Sequence, residues 1–151
     1  MESNYSDNLV NEFKTTYKLE GTDFWQLKRS GKSQWIIKHN ALEKVAAQDK
    51  ITWTLDVLNF SPDIVVKCIA TSDDRTVESL GESSSKNTMM QFPYAMAEKR
   101  AVDRCILKLL NAHAYIYSDA ENDDFKEPTS NRVKSDAHNK LNKIAEKKIN
   151  G

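Results

Sequence analysis

From Ile51 to Glu82 the chain reads as three alternating runs separated by turns, and this pattern restricts the fold more than any other feature. Ile51, Trp53, Leu55 and Val57 fall on one side, with Thr52, Thr54 and Asp56 on the other, the period of a strand with one covered face. A turn at residues 59–63 follows. Residues 63–71 are β-branched and apolar enough for the middle of a sheet. Ser72-Asp-Asp turns the chain again, and residues 75–82 alternate a third time. Strands joined by connections this short pair with their neighbours as an antiparallel meander.

The flanks supply the rest of the fold. Residues 23–28 and 33–38 bracket the turn-like Arg29-Ser-Gly-Lys32 and predict a hairpin. A short helix is expected from His39, with Asn40 as N-cap and Leu42, Val45 and Ala46 on one face. Residues 82–91 read as a polar loop. Pro93 suits the first turn of a helix running to about Ala114. The expected class is α+β: an antiparallel β-meander (β-hairpin, helix, three strands) packed against a long C-terminal helix, plus a polar C-terminal tail.

The formal net charge of the 151 residues is zero, which excludes a uniformly basic nucleic-acid binder but not a patterned one. Residues 1–117 balance at 15 basic and 15 acidic groups, residues 118–127 carry net −4, and residues 128–151 carry net +4. A domain edge is therefore expected near 118. Residues 1–22 form an N-terminal segment with helical capacity, 23–117 the core domain, and 118–151 an acidic linker and partly disordered basic tail. Within the tail, Leu141, Ile144, Ala145 and Ile149 have the spacing of one weak amphipathic helix. No apolar run approaches the ~18 residues of a membrane span, and the first residues lack a signal-peptide pattern, so a cytoplasmic protein is expected. Cys68 and Cys105 lack metal-type spacing.

Two basic groupings suggest phosphate contacts. On the C-terminal helix, Val102, Cys105, Ile106, Leu109, Leu110 and His113 share the expected core face. Arg100, Arg104 and Lys108 fall opposite them, rising about 6 Å per step, close to the phosphate repeat of an extended strand. A solvated stripe of this kind predicts that Arg100→Ala with Arg104→Ala weakens binding and costs little stability. At the hairpin, Lys28, Arg29 and Lys32 cluster at the tip with Lys38 at the base, interleaved with Trp25, Trp35 and Tyr17. Cations for phosphates and aromatic faces for bases is single-strand-binding chemistry. The two tryptophans equally suit cross-strand core partners.

Catalytic patterns are harder to find. Asp56, Asp63, Asp73, Asp74 and Glu82 sit mostly at turns, and Pro62-Asp63 is not followed by the Glu-x-Lys that would complete a metal-nuclease signature. His39, His113 and His138 lie far apart in the sequence and read as buried or capping groups. The chain is expected not to be an enzyme.

Residues 23–117 as a whole resemble the single-strand annealing superfamily of the Rad type, which includes the phage Sak proteins and bacterial DdrA. The segments that carry the resemblance are residues 35–46, the strand opening at Ile51-Thr-Trp53, the strands ending at Leu80-Gly-Glu-Ser-Ser-Ser85, and the helix with its aromatic end across residues 97–117. If Leu110-Asn111 stands where the family has Phe-Gly, its DNA-contacting Lys-Arg pair falls on Arg104 and Cys105, with Lys99, Arg100 and Lys108 left to compensate. Asn111 would then replace the tight Gly, a residue type that tolerates a left-handed backbone. The resemblance implies single-stranded DNA as ligand and a homo-oligomeric ring or helical filament. It implies annealing of complementary strands in phage-type homologous recombination, without ATP, metal or other cofactor. An exonuclease or single-strand-binding protein is an expected partner of the tail.

Two other readings stay open. Helix, three strands, helix is also the order of a double-stranded-RNA-binding domain, although Pro93-Tyr-Ala-Met-Ala97 lacks that family's basic helix start. A small scaffold or inhibitor acting through the tail is the other.

Overall fold

A computed structural model describes residues 2–29, 31–84 and 92–121, with side chains from Tyr5 onward except Arg29. The elements run α1 (Glu2–Thr16), a 3-10 turn (Gly21–Asp23), β1 (Phe24–Arg29), β2 (Lys32–Ile37), α2 (His39–Gln48), β3 (Thr52–Asn59), β4 (Ile64–Ser72), β5 (Arg75–Ser83), α3 (Pro93–Leu109), β6 (Ile116–Ser118) and a last 3-10 turn (Asp119–Glu121). The class is α+β, and the hairpin, the meander and the long helix fall where the sequence places them. Of the loop expected at residues 82–91, the first two positions belong to β5, and residues 85–91, like the tail from residue 122 with Leu141, Ile144, Ala145, Ile149 and His138, lie outside the described residues.

The meander forms a sheet of order β3-β4-β5. Its central strand alternates as a mid-sheet strand should, with Ile64, Val66, Cys68 and Ala70 buried on the side that meets α3. Trp53, Leu55 and Val57 pair with Ala70, Cys68 and Val66 and so share that face. The cover stops short of them: Trp53 and Val57 are 38% and 40% exposed.

A second sheet has the order β1-β2-β6, with β6 parallel to β2 through Trp35↔Ile116, Ile36↔Tyr117 and Ile37↔Ser118. Three residues carry no readable period, so β6 had no signal in the sequence. It draws the chain past position 118, burying Ser118 and Ala120. Across the hairpin, Trp25 faces Ile36 and Trp35 faces Gln26, so the two tryptophans are not cross-strand partners. Trp25 is buried and Trp35 half-buried. α1 closes this side with Val10 and Phe13, the Phe13 ring lying 4.9 Å from Tyr17 and 6.3 Å from Phe24.

α3 is the hub. It packs on β4 and β5 and also meets α2 and β6. Met96, Ala97, Arg100, Ala101, Val102, Asp103, Cys105, Ile106, Leu107 and Leu109 are buried, nearly the whole circumference. A helix covered all round belongs inside a protein, not on its surface. It ends at Leu109, earlier than expected. Asn111 takes a left-handed φ of 56°, while the N–H groups of Asn111 and Ala112 donate to Lys108 O at 3.1 Å and Leu107 O at 2.8 Å. This Schellman closure puts His113 beyond the helix and exposed, not on the core face.

Candidate nucleic-acid interface

Gly81 determines how closely α3 approaches β5. A Cβ there would collide with the backbone of Ala97 and Ala101, so only glycine lets the helix lie this near the strand. At that separation the helix cations reach the open edge of β5. Arg100 Nη1 donates to Glu82 O at 2.8 Å, Arg104 Nη1 to Leu80 O at 2.6 Å, and Lys108 Nζ to Glu78 O at 3.0 Å. Alternate carbonyls along a strand repeat at ~6.8 Å, and the stripe rises about 6 Å per step. The spacing that suggested phosphates thus matches the strand edge beside it.

The expectation of a solvated stripe is therefore corrected. Arg100 is fully buried, and its Nε also donates to Ala120 O at 2.5 Å. Arg104 is ion-paired to Glu82 at 2.9 Å and to Glu121 at 2.7 Å. The Glu82 carboxyl is held below its usual range by the hydrogen bond from Arg104. Lys108 is half-buried, and Lys99 is the member of this helix's basic set left exposed.

Below the stripe lies a buried polar bridge that the sequence did not announce. Asp103, which falls on the buried side of α3, accepts from Ser118 Oγ at 2.5 Å and meets His39 Nδ1 at 2.6 Å. His39 Nε2 meets Glu43 at 2.7 Å. The first N–H of α2 donates to Asp119 Oδ1 at 3.0 Å, so α2 is capped from 80 positions away and not by Asn40, which is exposed. The N-cap position itself is Lys38, without a side-chain cap bond. Burial works against a charged imidazole, but the hydrogen bond and charge of Asp103 outweigh it and raise the His39 pKa. The Ser118 hydroxyl donates its hydrogen bond to the carboxylate, so the group joins α2, α3 and β6 as a structural bridge. Among the described residues, no three His, Cys, Asp or Glu side chains cluster closely enough to hold a metal ion.

The hairpin cations have a different setting. Lys28 and Lys32 are exposed, Lys38 is half-buried, and Arg29 pairs in register with Lys32 at the turn. Between the hairpin and α1 lies a cleft of about 460 Å³, lined by Lys14, Lys28, Trp25 and Trp35 among others. A second cleft of about 440 Å³, lined by Lys32, Gly31, Asp7 and Ser6, shares Gln26 and Trp35 with the first. Asp7 is engaged at this junction by Trp35 Nε1 at 2.8 Å and Gln26 Nε2 at 3.3 Å. The buried Trp25 indole N–H finds no acceptor among the described residues. Tyr17 stands aside, its hydroxyl donating to Asp49 at 2.9 Å. Lys14 was missing from the sequence-derived set; its only signal is its place beside the core residue Phe13 on α1.

A larger cleft of about 860 Å³ opens between α1 and the turn after α3, lined by Tyr5, Ser6, Leu9, Leu110, Asn111, Ala114 and Tyr115. It contains no charged group for a phosphate. No protein-family model, curated protein or solved structure matches the chain.

Proposed function

We propose that the protein binds single-stranded DNA along the face between α1 and the hairpin and anneals complementary strands, as an oligomer, without nucleotide or metal. The observation that supports this reading is the placement of Lys14 and Lys28 on one cleft and Lys32 on the adjoining one, with the half-buried Trp35 lining both. Cations near aromatic surface suit a backbone-tracking, sequence-tolerant contact, which leaves base edges free to pair. The resemblance of residues 23–117 to the annealing superfamily points the same way. Arg100 and Arg104 have no part in this contact, because β5, Ala120 and Glu121 occupy them.

One observation favours a second reading. α2, β3, β4, β5 and α3 follow the α-β-β-β-α order of a double-stranded-RNA-binding domain. However, the first six residues of α3 carry no Lys or Arg to meet a phosphate groove. Anisotropy titrations with single-stranded DNA, duplex DNA and duplex RNA separate the readings. Preference for the single strand, with faster pairing of complementary oligonucleotides in nucleotide-free EDTA buffer, is the expected result. Preference for duplex RNA, or no binding to any of the three at low salt, overturns it.

A further inference from the structure

The two edges of the β3-β4-β5 sheet are finished differently. On β5, the three cations of α3 occupy the carbonyls of Glu78, Leu80 and Glu82. On β3, no described strand pairs with the outer edge, and seven of the eight residues are exposed, Leu55 alone being half-buried. An open edge is a template for another strand, and proteins usually blunt it with lysine, proline or a bulge. β3 reads Thr-Trp-Thr-Leu-Asp-Val-Leu-Asn, with one charge and no Lys or Pro. Its one irregularity lies at the far end, where the register shifts between Val57 and Asn59.

We propose that β3 pairs with β3 of a second copy of this chain, antiparallel about a two-fold axis, to form a continuous six-stranded sheet. The strand is complementary to itself in one register. Centred on Leu55, Trp53 of each copy faces Val57 of the other, an aromatic–β-branched pair of the kind that stabilises sheets. Thr54 then faces Asp56 of the second copy, so the only charge on β3 meets a hydroxyl. Centring on Asp56 instead would place like charges opposite one another. An axis through Leu55 also keeps both α3 helices on one side of the joined sheet. The surface that α3 leaves uncovered, Trp53 and Val57, is then buried between the copies, and the exposed Phe60 and Tyr94 rings, 6.3 Å apart, lie at its margin.

The sealed β5 edge dictates closure. Head-to-tail addition of β5 to β3 of the next copy would propagate into a ring or filament, but Arg100, Arg104 and Lys108 already fill that edge. Sheet growth ends at two copies, and larger assemblies must use other surfaces. This inference does not depend on DNA, since the association is read without it.

Light scattering behind size exclusion on the full chain tests it. The wild type is expected at twice the 17.3 kDa chain mass across a concentration series. Trp53→Lys with Val57→Lys places lysine opposite lysine and halves the wild-type mass, while circular dichroism reports an unchanged fold. Trp53→Lys with Val57→Glu restores opposite charges in the Leu55-centred register and restores the mass. A wild type that is monomeric throughout overturns the proposal. So does a double-lysine chain that is folded and keeps the wild-type mass. If the double-lysine chain fails to fold, Asp56→Lys, on the opposite sheet face and across from Thr54 of the second copy, is expected to leave the dimer intact. Loss of that dimer would refute the register.

Discussion

Two groups of basic residues in this protein look alike in sequence and have opposite fates. Arg100, Arg104 and Lys108 form a four-residue-spaced stripe on a helix, while Lys28, Arg29 and Lys32 crowd a turn. The helix stripe is spent inside the molecule, on strand carbonyls and on Glu82 and Glu121. Lys28 and Lys32 border clefts that open to solvent. The difference lies in the neighbours. A helix that is the hub of the fold has something packed on every side, whereas a hairpin tip has neighbours at its base alone. Spacing along one element does not reveal what lies across from it.

The comparison breaks most readily on stability. Arg100→Ala strands the carbonyls of Glu82 and Ala120 in a buried site and is expected to cost about 3 kcal/mol in urea titrations. Lys32→Ala, at an exposed position, should stay within about 0.5 kcal/mol. Equal losses would erase the distinction between the two groups.

Next in size is Gly81→Ala. The added methyl meets helix backbone, which cannot swing aside, so α3 must lift off β5 at a cost of about 1–3 kcal/mol. Hydrogen exchange should then quicken on α3 and β5 ahead of the hairpin. An alanine variant as stable as wild type would mean that the stripe does not depend on this close approach.

Binding should invert the order. Lys28→Ala with Lys32→Ala is expected to weaken single-strand affinity at least ~10-fold and to flatten the log–log salt slope by about 1.4, two phosphate contacts at ~0.7 each. Arg104→Ala, whose side chain is already committed to Glu82 and Glu121, should leave that slope unchanged. A reversed result would return the interface to α3.

The His39–Asp103 bridge gives a pH signature that the hairpin lacks. The His39 imidazole gains proton affinity on folding, so its contribution is complete below the unfolded value near 6.5 and fades as pH rises through the folded one. The stability gap between wild type and His39→Gln is accordingly expected to be wider at about pH 5.5 than at about pH 8.5. A gap that grows with pH would mean the imidazole is neutral in the native bridge. Between Arg100→Ala and Lys32→Ala in effect, Lys108→Ala removes one half-exposed bond to Glu78 O, and chemical melts should register no more than about 0.5–1 kcal/mol.

The sequence by itself determined the meander, the hairpin, the extent of β4 and the start of α3 at Pro93, because periods of two and 3.6 and the turn chemistry of Asp73 and Pro93 are local properties. The left-handed turn at Asn111 is suggested by the family resemblance alone, since the helical period runs on to about Ala114. Only the tertiary structure decided which face of α3 is solvated, that β6 comes back beside β2, that Asp119 caps α2, and that Trp53 and Val57 are left uncovered at an edge. Each of these depends on a partner remote in the chain, and a one-dimensional pattern contains the donor's spacing without the acceptor's position. The basic stripe of α3 is the plainest case: its repeat fits a nucleic-acid backbone and a β-strand edge about equally well, and the close approach at Gly81 brought the strand to it.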